Sequence, residues 1–425
     1  MKNKKIAIYS LFSQALRVIS GPITIMMVAK SLSVEEMSFY YSFFNVIALQ
    51  QILEMGLGFV IKQYISHDYK VDQENCWILD SISSIKSYFT FSCFWFLFVA
   101  LFVCIIVGLF GIWFFSSYQG DIVWQSPWWA IVVITSIATL VTPIQFLLEG
   151  CQQQLSLYKA RVISALVSAF SLCISLYYGA GLYSVAVSLL CSNLALYLFI
   201  YKPSAELLSK FFSVSSSRTI RKTLSEIWPM LSKISVTWIM GYFFWNSFNL
   251  IAFKFLPLEM AGRVGFTLSL ARAGLSIAES LVASQTTIYA SQISDGKIDI
   301  AKENFEKLML LSCAVLFSGY SVYLLSAILF SDFFIFTKAL SIKETIWVFI
   351  YFLLLLPVLS QANFCRCFKK EPYFYLSMFV NIQVPVVFFI ICYHIRLPSF
   401  EYLLPFSAFV FLWSCELYKK VTKKF

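Results

Sequence analysis

Apolar residues run through this chain in long blocks, separated by short polar stretches. A helix needs about 20 apolar residues to cross roughly 30 Å of hydrocarbon. By that measure the pattern predicts twelve membrane-spanning helices. They lie at 7–29, 39–61, 88–110, 128–148, 160–178, 182–201, 227–253, 264–289, 308–330, 344–364, 374–393 and 401–418. The fifth and sixth are separated only by Gly179-Ala180-Gly181, a turn sufficient for a helical hairpin. The start, Met1-Lys-Asn-Lys-Lys5 and then an apolar run, mimics a signal peptide. The run from Ile6 to Ala29 is too long for that and no small-x-small cleavage site follows, so it reads as an uncleaved first helix.

Composition narrows the class. Sixty per cent of the 425 residues are hydrophobic and 13% are charged, about half the usual charged share. The mean hydropathy is +0.78. A soluble surface needs more charge than this, so a soluble enzyme, a disordered chain and a nucleic-acid binder are all excluded. The predicted fold class is all-α: a polytopic membrane protein of about twelve transmembrane helices in two pseudo-symmetric six-helix bundles.

Charge orients the spans. With the N-terminus inside, the inner segments carry 23 Lys and Arg. The outer ones carry 6: Lys30, Lys254, Arg263, Lys338, Lys343 and Arg396. This asymmetry predicts a multi-pass protein with both termini in the cytoplasm and supports an even span count. The longest inner stretch holds Ser213-Val-Ser-Ser-Ser217 and five basic residues. It divides the chain into an N-terminal lobe (1–201), a cytoplasmic linker (202–226) and a C-terminal lobe (227–425). A shift of 224 residues lays Lys30-Ser-Leu32-Ser-Val-Glu35 over Lys254-Phe-Leu256-Pro-Leu-Glu259, as a parallel repeat of a six-helix unit would.

Five ionisable residues fall well inside spans: Arg17, Glu54, Lys233, Arg272 and Glu279. Each costs about 2.5–3.5 kcal/mol at mid-bilayer on insertion scales, so they should face a protein interior or a wet cavity. Helical spacing puts Gln14 and Arg17 on one face, beside the Gly21-Pro22 interruption. It puts Gln50, Gln51, Glu54 and Gly58 on another. Arg272, Ser276 and Glu279 form a third, and Trp238, Tyr242, Trp245 and Asn249 an aromatic and polar stripe. Bland readings stand beside these. Lys233 is about two turns from the inner end and can snorkel to the headgroups. Glu54 can serve as a structural partner of Arg17, and the aromatic stripe can be helix packing. No His, Cys, Asp or Glu cluster has metal spacing, so no metal site is expected. The paired thiols Cys365 and Cys367 lack a second ligand pair. No nucleotide-binding motif is present, and no residue is singled out as catalytic.

The stretch Ala29-Lys-Ser-Leu-Ser-Val-Glu-Glu-Met-Ser-Phe-Tyr40, with Leu53-Glu-Met-Gly-Leu57 on the polar second helix, resembles the opening of the polysaccharide transporter family. These are the O-antigen flippases of the multidrug, oligosaccharidyl-lipid and polysaccharide (MOP) exporter superfamily. Ser38 stands where the family usually has Gly, and Glu54 where it usually has Asp. The resemblance implies a transporter, not an enzyme, in the bacterial inner membrane. It implies that an undecaprenyl-pyrophosphate-linked oligosaccharide moves from the cytoplasmic to the periplasmic leaflet, by alternating access through a cationic central cavity. O-antigen, a lipopolysaccharide component, or another surface glycan would be the product. Partners would be that glycan, membrane lipids, and the polymerase and chain-length regulator of the pathway, with no nucleic acid. Under this reading Arg17, Arg272 and Lys233 meet pyrophosphate or anionic sugar, helped by Gln14 and Asn249. Trp238, Tyr242 and Trp245 stack on sugar rings. Glu54 and Glu279 gate, or titrate if an H+ or Na+ gradient drives the cycle; no cofactor is expected. Two alternatives remain: a multidrug or ion antiporter of the same superfamily, and a membrane-embedded O-antigen polymerase. The polymerase reading is weakened by a largest outer loop, 111–127, that offers one acid, Asp121, and no base.

Overall fold

The computed structural model describes residues 21–70, 78–211, 214, 218–294, 296–368 and 372–422. Among them there is no strand. Nine helices among the described residues are long and apolar enough to cross a membrane, ten when a bent pair is counted as one span. The chain divides into two compact units. The first holds Phe43–Tyr242; the second holds Gly21–Ser42 and the chain from Phe243 onward.

Helix α1 covers residues 21–31 and α2 covers Val34–Ile47. The turn between them is closed by a capping box. Glu36 N–H donates to Ser33 Oγ at 3.0 Å, and Ser33 N–H donates to Glu36 Oε2 at 2.8 Å. Two orphan amides are thus satisfied by one Ser-x-x-Glu motif.

In the first unit, α3 (Gln50–Glu54) and α4 (Leu57–Asp68) follow. Next come α5 (Leu79–Phe102), a π turn at Val103–Val107, and α6 (Gly108–Phe115). The unit continues with α7 (Gln125–Gly150), α8 (Gln154–Tyr177) and α9 (Tyr183–Ser209). The Gly179-Ala180-Gly181 turn joins α8 and α9, and both glycines take positive φ, 77° and 54°. Gly108 and Gly111 let Trp129 and Trp128 of α7 approach closely, and Trp128 Nε1 donates to the Gly108 carbonyl at 2.9 Å.

Helix α10 (Ile220–Phe255) contributes its first part to the first unit and its last part to the second. The second unit continues with α11 (Leu258–Ala283), α12 (Thr286–Ser294), α13 (Ile298–Leu329) and the short α14 (Phe334–Thr337). It ends with α15 (Ile342–Arg366), α16 (Phe374–His394) and α17 (Leu404–Thr422). Its core is aromatic: Tyr320 stacks on Phe349 at 4.0 Å, and Phe305 on Phe364 at 4.3 Å.

Two features differ from the sequence expectation. Several helices outrun their apolar blocks, α10 and α13 among them, because hydropathy marks only the stretch that suits lipid while the helix continues beyond it. The second span is also not one helix. It bends by 45° between Glu54 and Leu57. Met55 and Gly56 both take left-handed backbone, φ 52° and 70°, which stops α3 and restarts the chain as α4. Gly58 therefore leaves the face expected for Gln50 and Glu54, and packs instead on Phe146.

The 224-residue offset reappears in the helix boundaries. α1 ends at 31 and α10 at 255; α2 begins at Val34 and α11 at Leu258. Both turns belong to the second unit.

Candidate functional site

In the first unit the polar centre is the break at Met55-Gly56. Backbone inside a membrane must be satisfied by protein. Trp95 Nε1 donates to the Leu53 carbonyl at 3.0 Å. The Ser235 hydroxyl donates to the Leu231 carbonyl at 2.6 Å and lies 3.4 Å from that of Met55. Glu54 is the last residue of α3, half-buried, with no ion pair among the described residues. Gln50 lies one turn earlier, and its Oε1 is buried without a hydrogen-bond partner there. Trp238 of α10 packs against Gly56 and is 45% exposed. Lys233 is exposed. Tyr242 is buried, and its hydroxyl donates to the Asn45 carbonyl at 3.0 Å. That bond ties α10 to α2 and leaves the ring little freedom to stack on a ligand.

In the second unit the centre is Arg272 on α11. Its Nη2 donates to the Trp245 carbonyl at 2.6 Å, and the guanidinium lies 5.6 Å from the centre of the Trp245 ring. Its Nε is buried with no hydrogen-bond partner, and no carboxylate pairs with it among the described residues. Asn249, one turn beyond Trp245, is buried, and its Oδ1 has no hydrogen-bond partner among the described residues. Glu279 sits two turns along α11 and turns to another helix. Asn363 Nδ2 of α15 donates to its Oε1 at 3.3 Å, and Arg366 Nη1 donates to Asn363 Oδ1 at 3.1 Å.

The structure thus brings Arg272 together with Trp245. It does not bring Arg272 to Glu279, nor Lys233 to a carboxylate. Gln14 and Arg17 lie outside the described residues. No group of three or more metal-ligating side chains occurs among those described.

Sequence reading missed Asn363 and Glu149. Lys62 at 2.9 Å and Arg161 at 2.6 Å clamp Glu149 at the end of α7. A lone acid just past an apolar block, with basic residues ending neighbouring spans, is the signal that marks it. Asn363 carried no such signal, because an amide inside an apolar helix shows its role only when the facing helix is known.

No family model matches this chain, and no curated protein matches it. Solved structures do match in fold. An inward-facing multidrug resistance MATE family transporter of the MOP superfamily has 13% identity and a TM-score of 0.70, over 98% of this chain and 99% of that one. MATE in a bent conformation has 12% identity and a TM-score of 0.59, over 99% and 96%. A MOP superfamily transporter from Pyrococcus furiosus has 12% identity and a TM-score of 0.57, over 98% and 95%. Its binding pocket is described as having reverse polarity, suggesting a different function. This chain is an all-α multi-pass membrane protein with the fold of MOP superfamily transporters.

Proposed function

We propose that the protein is a transporter that flips an undecaprenyl-pyrophosphate-linked oligosaccharide repeat unit across the bacterial inner membrane by alternating access. The observation that carries this reading is Arg272. A guanidinium held inside a membrane-spanning helix, without a carboxylate partner among the described residues, keeps both its charge and unspent donors. Its planar fork suits a phosphate or pyrophosphate. The Trp245 ring beneath it fixes the fork and offers an apolar face to a sugar. A cationic drug would meet this charge as a repulsion. The Pyrococcus furiosus relative supports the premise that pocket polarity changes the task of this fold. Arg17 and Lys233 would add to the cationic character. Glu54 and Glu279 would couple the cycle to an H+ or Na+ gradient. The product would be O-antigen or another surface polysaccharide, with the pathway's polymerase and chain-length regulator downstream.

A second reading, a MATE-like antiporter, has its own support. Glu54 is a half-buried intramembrane acid without an ion pair among the described residues, as a cation-coupled exporter needs.

The test uses a strain lacking the gene, with lipid-linked oligosaccharides assayed by leaflet beside a surface-glycan gel. Complete repeat units held in the inner leaflet, with loss of surface polymer, are the expected result. Unchanged glycan with new drug sensitivity would replace this reading with the antiporter. Single units reaching the outer leaflet without long chains would mean a polymerase.

A further inference from the structure

The second unit contains a cavity of about 340 Å³ at the end of the helices that the charge count assigns to the outside. It lies among α11, α13, α14 and α15, and its polar groups have unspent bonding capacity. Arg263 enters from α11. Its Nε and Nη2 donate to Glu259 Oε1 and its Nη1 to the Ala339 carbonyl, which leaves two of its five N–H donors. Glu344 enters from α15. Its Oε2 accepts from the Ser341 hydroxyl, and its other oxygen has no partner among the described residues. The Tyr323 hydroxyl is buried, with no hydrogen-bond partner among the described residues. A buried hydroxyl without a bond costs free energy unless a ligand or water meets it.

A second hollow of about 670 Å³ adjoins the cavity, with Ser331 and Phe336 lining both. That hollow is lined by Leu329, Phe330 and Phe333, all exposed, together with Phe336, Ser326, Ser331 and Asp332. A charged recess beside a largely apolar groove fits an amphiphile with a zwitterionic head. A sugar would leave the apolar groove unused. An anionic head would meet the Glu344 carboxylate.

We propose that this cavity binds a phospholipid whose headgroup carries a primary ammonium, as in phosphatidylethanolamine. The phosphate takes the spare N–H groups of Arg263 and the Tyr323 hydroxyl. The ammonium donates to the free oxygen of Glu344, and an acyl chain lies along Leu329, Phe330 and Phe333. A trimethylated ammonium cannot donate to Glu344, so headgroup methylation is the discriminating chemistry. The site is independent of the cargo in the central reading.

The experiment is native mass spectrometry of the full-length protein in detergent, offered phosphatidylethanolamine, phosphatidylcholine or phosphatidylglycerol at equal concentration. Wild-type protein is expected to retain phosphatidylethanolamine about tenfold better than phosphatidylcholine, the scale of one hydrogen bond to a charged group. Glu344→Gln should erase that preference. Glutamine at this position keeps the Ser-x-x-Gln cap of α15, so folding is preserved. Tyr323→Phe should weaken all three lipids. Equal retention of the two by wild type, or undiminished preference in Glu344→Gln, overturns the proposal. So does displacement of phosphatidylethanolamine by maltose, which would make the cavity a sugar site. The wild-type comparison decides even if a variant fails to fold.

Discussion

The indole of Trp238 lies so close to Gly56 that a Cβ added there would stand 2.8 Å from its Cδ1 and 2.7 Å from Ile234 Cγ2. Gly56 also holds φ at +70°. Two requirements, backbone and space, thus fall on one residue at the break between α3 and α4. Gly179 has nearly the same φ, +77°, with nothing within 4 Å of its added Cβ. The pair separates the two effects. Gly179→Ala should cost about 1 kcal/mol, from left-handed backbone alone. Gly56→Ala should cost about 1–3 kcal/mol more, because Ile234 and Trp238 must move. Thermal melting of the purified protein in detergent reads the difference. Equal shifts would mean that α10 yields freely at the break.

The two turns 224 residues apart are built by different means. Ser33 caps α2 with its side chain, whereas Pro257 precedes α11 with no side-chain cap. Ser33→Ala should lower stability by about 1 kcal/mol. Pro257→Ser should come out within about 0.5 kcal/mol of neutral. A new hydroxyl cap gains about 1 kcal/mol, and losing the rigid ring costs about 0.4–1 kcal/mol. Melting curves of the two variants check both numbers. A large loss from Pro257→Ser would show that the proline ring packs rather than merely pre-orders the turn.

Much of this architecture is legible along the chain, for a physical reason. Burial in lipid imposes a length on each apolar block, so helix existence follows from hydropathy. The turn offset follows from the repeated Lys-x-Leu spacing before each Glu. The break at Met55-Gly56 is harder to read, since a lone glycine in an apolar run fits a continuous helix equally well. What fixes it is Trp95, Ser235 and Trp238, which lie 40, 180 and 183 residues beyond Met55 in sequence. The partners of Arg272 and Glu279 are hidden for the same reason. Helix spacing shows which face a charge shares, but not which helix stands opposite. Trp245 and Asn363 emerge only when α10 and α15 are placed beside α11.

Glu279, Asn363 and Arg366 form a chain of hydrogen bonds, and the chain can be weighed by a double-mutant cycle. Glu279→Gln removes the charge and Asn363→Ala removes the bridge. A hydrogen bond to a charged group is worth about 1.5–3 kcal/mol. The single variants should therefore be non-additive by about 1 kcal/mol or more in melting experiments. Additive losses would mean that Asn363 serves Arg366 and the backbone alone. A carboxylate freed by Asn363→Ala while transport persists would also speak against Glu279 as the gate.

Arg272 offers the sharpest separation of charge from geometry. Lysine at this position keeps a positive charge but loses the planar fork, and an ammonium on a flexible stem does not hold the same seat over Trp245. If the residue acts only as a cation, Arg272→Lys should export surface glycan nearly as well as wild type. If it receives pyrophosphate in two-point fashion, Arg272→Lys should lose most of the export and Arg272→Ala nearly all. Trp245→Phe keeps an aromatic face with a weaker cation–π attraction, whose full worth is about 0.5–2 kcal/mol, so export should fall by less than in Arg272→Lys. Each variant is scored by surface-glycan gel and by lipid-linked oligosaccharide in the inner leaflet, with membrane abundance measured alongside. Full export by Arg272→Ala at normal abundance would remove the residue from the transport path. The unpartnered Nε would then be a packing cost that the fold carries on α11, and the cationic reading would have to rest on Arg17 and Lys233.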